Sequence, residues 1–283
     1  MSNKKIKTAR LSIISNCTLI VMKVVAGIYS GSVSIFSEAI HSGMDLLAAI
    51  IAFFSVKLSD NPPDDKHPYG HGKYENISGV IEALLIFIAA GWIFYEAINK
   101  IILPQPIENI GIGVVVMAIS SIVNFLVSRK LYKVAKETDS IALEADALHL
   151  KTDVYTSVGV AVGLFLLWLT GWHFLDPAVA IIVALMILKE SFNLIRNAYS
   201  PLVDASLSSE ENLIIMEEIS KRNLSFHNLR TRKSGKYRFA DLHLEMHENM
   251  ELKDIHRICD EIENEIKSRI NYIEINIHVE PDR

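Results

Sequence analysis

Thiols are scarce in this 283-residue chain: Cys17 lies in an apolar segment and Cys259 in a charged one, and there are no others. Two cysteines in such different settings do not form a bridge, so a disulfide framework is excluded. They read as unreactive thiols in a reducing compartment. A positive surplus is missing too. Lys and Arg number 28 against 33 Asp and Glu, a net charge of −5, which gives nucleic acid no footing. No internal repeat of about 20 to 50 residues is visible. No HExxH occurs, so the helical signature of a zinc hydrolase is absent. The sequence does not open with a short apolar run and a small-residue cleavage site, so its first apolar segment is read as a permanent span.

Apolar sequence is abundant, at 50% of all residues. Several runs reach the roughly 20 residues that cross a bilayer. Membrane spans are expected near residues 11–30, 33–57, 77–100, 110–131, 141–169 and 176–198. Lys4, Lys5, Lys7 and Arg10 precede the first span, Lys57, Lys66 and Lys73 flank the second connection, and Arg129, Lys130, Lys133 and Lys136 line the fourth. The opposite connections hold little more than Lys100, so the positive-inside rule places both termini in the cytoplasm.

After Arg196 the apolar runs stop, and a charged tail of about 80 residues follows, long enough for a small domain. The expected division is a transmembrane domain over 1–200 and a cytoplasmic domain over 201–283. In the tail, "SLSSEENLIIMEEISKR" starts with Ser N-cap candidates and acidic residues, the pattern of a helix start. "YRFADLHLEM" and "IEINIHVE" alternate as half-buried strands, and "ELKDIHRICDEIENEIKSRI" between them has helical apolar spacing. The fold class expected is an all-α six-helix transmembrane bundle followed by a small α+β domain.

The second span contains "SEAIHSGMDLL", with His41 and Asp45 four residues apart and hence on one helix face. The fifth repeats the arrangement in "ADALHLKTD" with His149 and Asp153, on a helix running the other way. From the helical rise, each pair lies about 12 to 18 Å from its membrane surface, so both approach the midplane. Two imidazoles and two carboxylates suit tetrahedral zinc. An unpaired Asp at mid-membrane costs roughly 2.5 to 3.5 kcal/mol, whereas two carboxylates and one dication sum to zero. When the metal leaves, protons are the available replacement, because ligands must be deprotonated to bind. In a bundle that opens alternately to each side, that competition makes a metal/proton exchanger.

Glu38 and Asp146 each stand three residues before a site histidine and read as outer or pathway carboxylates. Lys23, Glu82 and Lys151 read as paired or snorkelling charges. A structural role for the pairs as interhelical hydrogen bonds is the alternative. An intramembrane enzyme is disfavoured, since catalytic zinc keeps an open coordination position and this set fills all four. A membrane metal sensor that moves no ions rests only on the tail histidines.

With "HSGMD", "HLKTD", "DDKHPYGHGKYE" and "RTRKSGKYRFADLHLEM" together, the chain resembles the cation diffusion facilitator family over nearly its whole length. The resemblance implies a homodimer of six-helix protomers in a bacterial inner membrane, with a ferredoxin-like cytoplasmic domain, exporting zinc as protons enter. It implies a transport site at His41, Asp45, His149 and Asp153. Similar bacterial members often carry Asp at the position of His41, and the His version resembles the zinc-preferring branch, with Cd2+, Fe2+, Mn2+ or Co2+ as alternative substrates. It implies a second metal site at Asp64, His67 and His71, where turn chemistry alone also accounts for the small and acidic residues. It pairs Lys73 with Asp204 at the dimer interface.

In the tail, strand alternation sets His243 and Glu245 opposite Leu242, Leu244 and Met246, and His278 and Glu280 opposite Ile277 and Val279. Adding His227 and His256 completes the cytoplasmic cluster that the resemblance implies, a regulatory zinc site between two tails. Val279 and Glu280 stand where similar members have Gln and Asp.

Overall fold

The computed structural model of the chain describes residues 2–30, 33–102, 111–170, 172 and 174–282. The side chains of Glu38 and His41 lie outside the described residues. Two compact units result, Met1–Asn61 with Tyr74–Tyr199, and Pro62–Lys73 with Ser200–Arg283.

The first unit is built from six long helices: α1 (Ser2–Ser30), α2 (Val33–Ser59), α3 (Lys73–Ile102), α4 (Gly111–Thr138), α5 (Ile141–Thr170) and α6 (Leu175–Tyr199). At 1.5 Å per residue, the 30 residues of α3 extend about 45 Å, beyond the hydrocarbon thickness of roughly 30 Å. The helices therefore outrun the apolar spans that hydropathy marks, α1 by its basic start and α4 by its basic end. Among the described residues, three segments are long and apolar enough to cross a membrane: Asn3–Ala26, Lys73–Asn99 and Pro177–Val203.

Small residues let the helices approach closely, which is how bundles pack where lipid offers no hydrophobic drive. Ala9, Val56, Leu131, Ala142, Ala147 and Leu150 belong to one buried cluster joining α1, α2, α4 and α5. Ile86 and Ala90 of α3 meet Ile187 of α6 in another. Ser191 Oγ donates to the Ala83 carbonyl at 2.6 Å and Asn76 Nδ2 to the Ala198 carbonyl at 3.2 Å, both between α3 and α6.

The α4–α5 corner is tight. Asp139 adopts φ 52°, a left-handed conformation that Asp tolerates better than most side chains. Ser140 then caps α5, its carbonyl accepting from Glu144 N at 3.1 Å and its hydroxyl from Leu143 N at 3.4 Å. The same hydroxyl donates to Glu75. Glu75 also accepts from Ser59 Oγ at 2.6 Å and from Lys5 Nζ at 2.8 Å, so one carboxylate joins α1, α2, α3 and the start of α5. The Lys5 and Glu75 side chains are only 4% and 3% exposed.

In the second unit, α7 (Ser209–Ser220) is followed by β1 (Phe226–Ser234), β2 (Tyr237–Met246), α8 (Leu252–Arg269) and β3 (Ile273–Pro281). Ser208 caps α7 through a reciprocal capping box with Glu211. The sheet order is β1-β2-β3, with β1–β2 antiparallel and β2–β3 parallel, α8 being the crossover that parallel pairing requires. This is an α+β unit with three strands, a ferredoxin-like order without its first strand. Strand β1 is an addition to the two strands that alternation predicts. Leu242, Leu244 and Met246 are buried on one sheet face with Ile215 and Ile219 of α7 and Ile262 and Ile266 of α8. Full burial of each such Ile contributes about 1.5–3 kcal/mol. The opposite face carries the histidines.

The segment between α2 and α3 belongs to this second unit. A Cβ on Gly72 would stand 2.3 Å from the Ser234 carbonyl oxygen, so only glycine lets the segment lie against the β1–β2 turn. Arg232 is 4.2 Å from the Tyr69 ring centroid and 5.1 Å from that of Phe239, stacking the segment on the sheet.

Candidate metal centre

Helices α2 and α5 bring Asp45, His149 and Asp153 together, with one donor atom from each within 4.8 Å of the others. His149 Nε2 is 3.0 Å from Asp45 Oδ1, and the two side chains are 15% and 5% exposed. A nitrogen and a carboxylate oxygen at that distance are joined by a proton. The fourth residue of the expected site, His41, precedes Asp45 by one helical turn on α2, and its side chain lies outside the described residues. Donors around one zinc ion at about 2.0–2.2 Å stand roughly 3.4 Å apart, so small side-chain rotations suffice to close this set on a metal.

Two residues that sequence reasoning missed support the site. Asn124 Nδ2 of α4 donates to Asp153 Oδ2 at 3.3 Å, and Asn16 Nδ2 of α1 donates to the Asp45 carbonyl at 3.5 Å. Their only signal in sequence is an amide within an apolar run. Ser12 Oγ donates to Asp146 Oδ1 at 3.1 Å, while Asp146 Oδ2 has no hydrogen-bond partner among the described residues. Glu82, fully buried on α3, likewise has an unpartnered Oε2. The Glu38 side chain lies outside the described residues. Lys23 Nζ donates to Ser42 Oγ at 2.7 Å, and Lys151 Nζ lies 5.2 Å from the Tyr155 ring centroid.

A second group comprises Asp64, His67 and His71, all in the α2–α3 segment. Asp64 Oδ1 is 3.2 Å from His67 Nδ1, and Oδ2 is 3.4 Å from His71 Nε2. The backbone N–H groups of His67 and Lys66 also donate to Asp64, at 2.7 and 3.0 Å. The His67 N–H is the main cause holding the Asp64 carboxyl below its ordinary range.

The third group lies on the open sheet face: His227 of β1, His243 of β2 and Glu280 of β3. Register explains it, because His227 pairs with His243 and His243 with His278, setting three imidazoles in one row. Glu280 Oε1 is 2.8 Å from His243 Nδ1 and Oε2 is 3.3 Å from His227 Nε2. The hydrogen bond from His243 lowers the Glu280 pKa. The His278 ring lies 4.8 Å from that of His243. Glu245, absent from the expected ligands, has Oε1 3.2 Å from His227 Nδ1. Within the one chain His256 stands apart from this group. It is exposed on α8, with Nε2 3.6 Å from Asp260. Lys73 Nζ is 2.8 Å from Asp204 Oδ1 within the one chain, and that bond lowers the Asp204 pKa.

Helices long and apolar enough to cross a membrane, a donor set of two carboxylates and an imidazole on α2 and α5, and further donor clusters on an α+β unit are the parts a membrane transporter of metal cations requires. The family model for the cation efflux transmembrane domain matches residues 9–203, and the model for the cation efflux protein cytoplasmic domain matches residues 203–282. The chain belongs to the cation diffusion facilitator family, whose members are transporters and not enzymes. An uncharacterized transporter of Synechocystis sp. is 35% identical over 92% of this chain and 85% of its own. The cation-efflux pump FieF of Citrobacter koseri is 32% identical over 93% of this chain and 88% of its own. Among solved structures, the metal-bound C-terminal domain of the CzcD transporter from Thermotoga maritima shares 29% identity, with a TM-score of 0.23, over 26% of this chain and 94% of that one.

Proposed function

We propose that the protein is a six-span zinc exporter of a bacterial inner membrane, with both termini in the cytoplasm, that exchanges cytosolic Zn2+ for protons by alternating access. The transport site is His41, Asp45, His149 and Asp153, with His41 supplying the fourth ligand. The observation that carries this reading is the 3.0 Å contact between His149 Nε2 and Asp45 Oδ1. A nitrogen and a carboxylate oxygen at this distance share one proton, which must leave the space between them before both can face a metal, so proton and metal exclude each other there. Once deprotonated, imidazole and carboxylates fit zinc, with Cd2+, Fe2+, Mn2+ and Co2+ as weaker alternatives. Asp146 and Glu38 serve the route to the site, a role the buried, unpartnered Oδ2 of Asp146 supports.

The chain acts as a homodimer, with 1–200 as its membrane domain and 201–283 as its cytoplasmic domain. Asp64, His67 and His71 form a secondary zinc site. His227, His243, His278 and Glu280, with His256, form a regulatory zinc cluster at the contact of the two tails, where the Lys73–Asp204 pair also stands. Zinc there favours whichever conformation binds it better, so the cluster reports cytosolic zinc.

The test is flux into liposomes loaded with a zinc-sensitive dye under an imposed pH gradient. Gradient-dependent uptake that disappears in Asp153→Ala supports exchange. Binding without flux supports the sensor reading instead. A competition series of zinc against cadmium, manganese and iron on wild type and His41→Asp tests selectivity, and identical rankings refute the assignment to His41.

A further inference from the structure

A groove of about 820 Å3 runs along the helix bundle between α4, α5 and α6. It lies on the side of α5 away from the metal donors, since Lys151 lines it and stands two residues, about 200° of helical turn, from His149. Its walls change character along its length. Toward the α4–α5 corner it is lined by Arg129, Lys130 and Lys133, and deeper in the bundle by Phe125, Leu126 and Val154. The eight residue steps from Phe125 to Lys133 rise about 12 Å.

Four cations line the groove, Arg129, Lys130, Lys133 and Lys151, against two carboxylates, Glu144 and Glu190. Glu144 already accepts from Lys136 at 2.7 Å. Arg129 lies over the Phe125 ring, 5.6 Å from its centroid, and Lys151 over Tyr155 at 5.2 Å. An aromatic face orients a cation without neutralising it, so the groove keeps its positive charge. Leu126 is 61% exposed and Phe125 47%, which leaves the deeper apolar wall open to the bundle's outer side. No Cys or His lines the groove, so it is not a soft-metal site.

A basic mouth above an apolar, outward-open wall matches a molecule with a phosphate at one end and hydrocarbon at the other. We propose that this groove binds an anionic membrane phospholipid, with the phosphate at Arg129, Lys130 and Lys133 and an acyl chain along Phe125, Leu126 and Val154. The placement at the cytoplasmic leaflet rests on the orientation given under Proposed function. Bound there, the lipid links α4 to α6 across the outer face of α5, the helix that carries His149 and Asp153.

The test uses the full-length protein in detergent, without metal or pH gradient, so its outcome is independent of the exchange reading. Phosphatidylglycerol is titrated against phosphatidylcholine of the same chains, with bound lipid counted by native mass spectrometry and the unfolding midpoint followed in parallel. Phosphatidylglycerol is expected to be retained and to raise the midpoint, and phosphatidylcholine is not. R129Q/K130Q/K133Q is expected to weaken phosphatidylglycerol retention at least tenfold, while R129K/K130R/K133R keeps it. If the neutral triple variant does not fold, Lys130→Gln alone is expected to weaken retention several-fold. Equal retention of both lipids, or unchanged retention in the neutral variants, overturns the proposal. So does displacement of phosphatidylglycerol by millimolar inorganic phosphate, which identifies a free-phosphate pocket.

Discussion

His149 Nε2 stands 3.0 Å from Asp45 Oδ1 although 104 residues separate them in the chain. That contact sets the first expectation. Asp45→Asn keeps the shape and a hydrogen bond but removes a charge and a metal ligand, so zinc affinity falls by roughly 100-fold or more, beyond the effect of an outer partner. Isothermal titration of the purified variant at pH 7 checks this, and unchanged affinity removes Asp45 from the ligand set.

Asn124 touches no metal, but its amide holds Asp153 Oδ2. Asn124→Ala is expected to weaken zinc binding about 10–100-fold. The unfolding midpoint should move little, and that separation of affinity from stability marks an orienting role.

Glu75 and Lys5 are both buried, so removing one leaves the other charged without compensation. Lys5→Met is expected to destabilise the bundle by about 3–5 kcal/mol. Adding Glu75→Gln to it should recover part of the loss, which a double-mutant cycle by thermal unfolding in detergent measures.

Gly72→Ala pushes a methyl group against the Ser234 carbonyl and the Gly235 amide nitrogen. The α2–α3 segment must then shift, and Asp64, His67 and His71 with it. Zinc bound at this segment is expected to weaken while the His149 site keeps its affinity, a difference read by metal titration of Gly72→Ala with Asp153 intact for the His149 site and in the Asp153→Ala background for the segment.

The Glu218 carboxyl is brought down to about 2 by Lys221, 2.7 Å away, and by Arg269. A depressed carboxyl stabilises the fold at pH values above its ordinary 4.5 and loses that contribution as pH falls toward about 2. In Glu218→Gln the unfolding midpoint should therefore fall less steeply than in wild type between pH 4.5 and 2. Parallel curves would remove Glu218 as the source.

Much of this was legible in the chain, for reasons that also mark where it was not. The spacing of His149 and Asp153 sets them on one face because a helix repeats every 3.6 residues, whatever surrounds it. Asn124 and Asn16 were not legible, since their contacts depend on how α4 and α1 pack against α5 and α2. Alternation in β2 and β3 is clear because one face of each is buried in the core. Strand β1 hid because its register shifts between His227 and Arg230, with Asn228 at φ 55°, and the irregularity breaks the period of two.

The α2–α3 segment belongs structurally to the C-terminal unit, so the backbone passes between the two units three times, near residues 61, 73 and 199. A tail held by three threads cannot be cut away cleanly at the end of α6. Truncation there strips Tyr69 of Arg232 and Gly72 of the turn it rests on, and leaves Asp64, His67 and His71 on an unsupported loop. Loss of transport in such a deletion therefore reports damage to the connection below α2 as much as absence of the domain. The informative edits are point changes on the sheet's histidine face that leave all three threads intact.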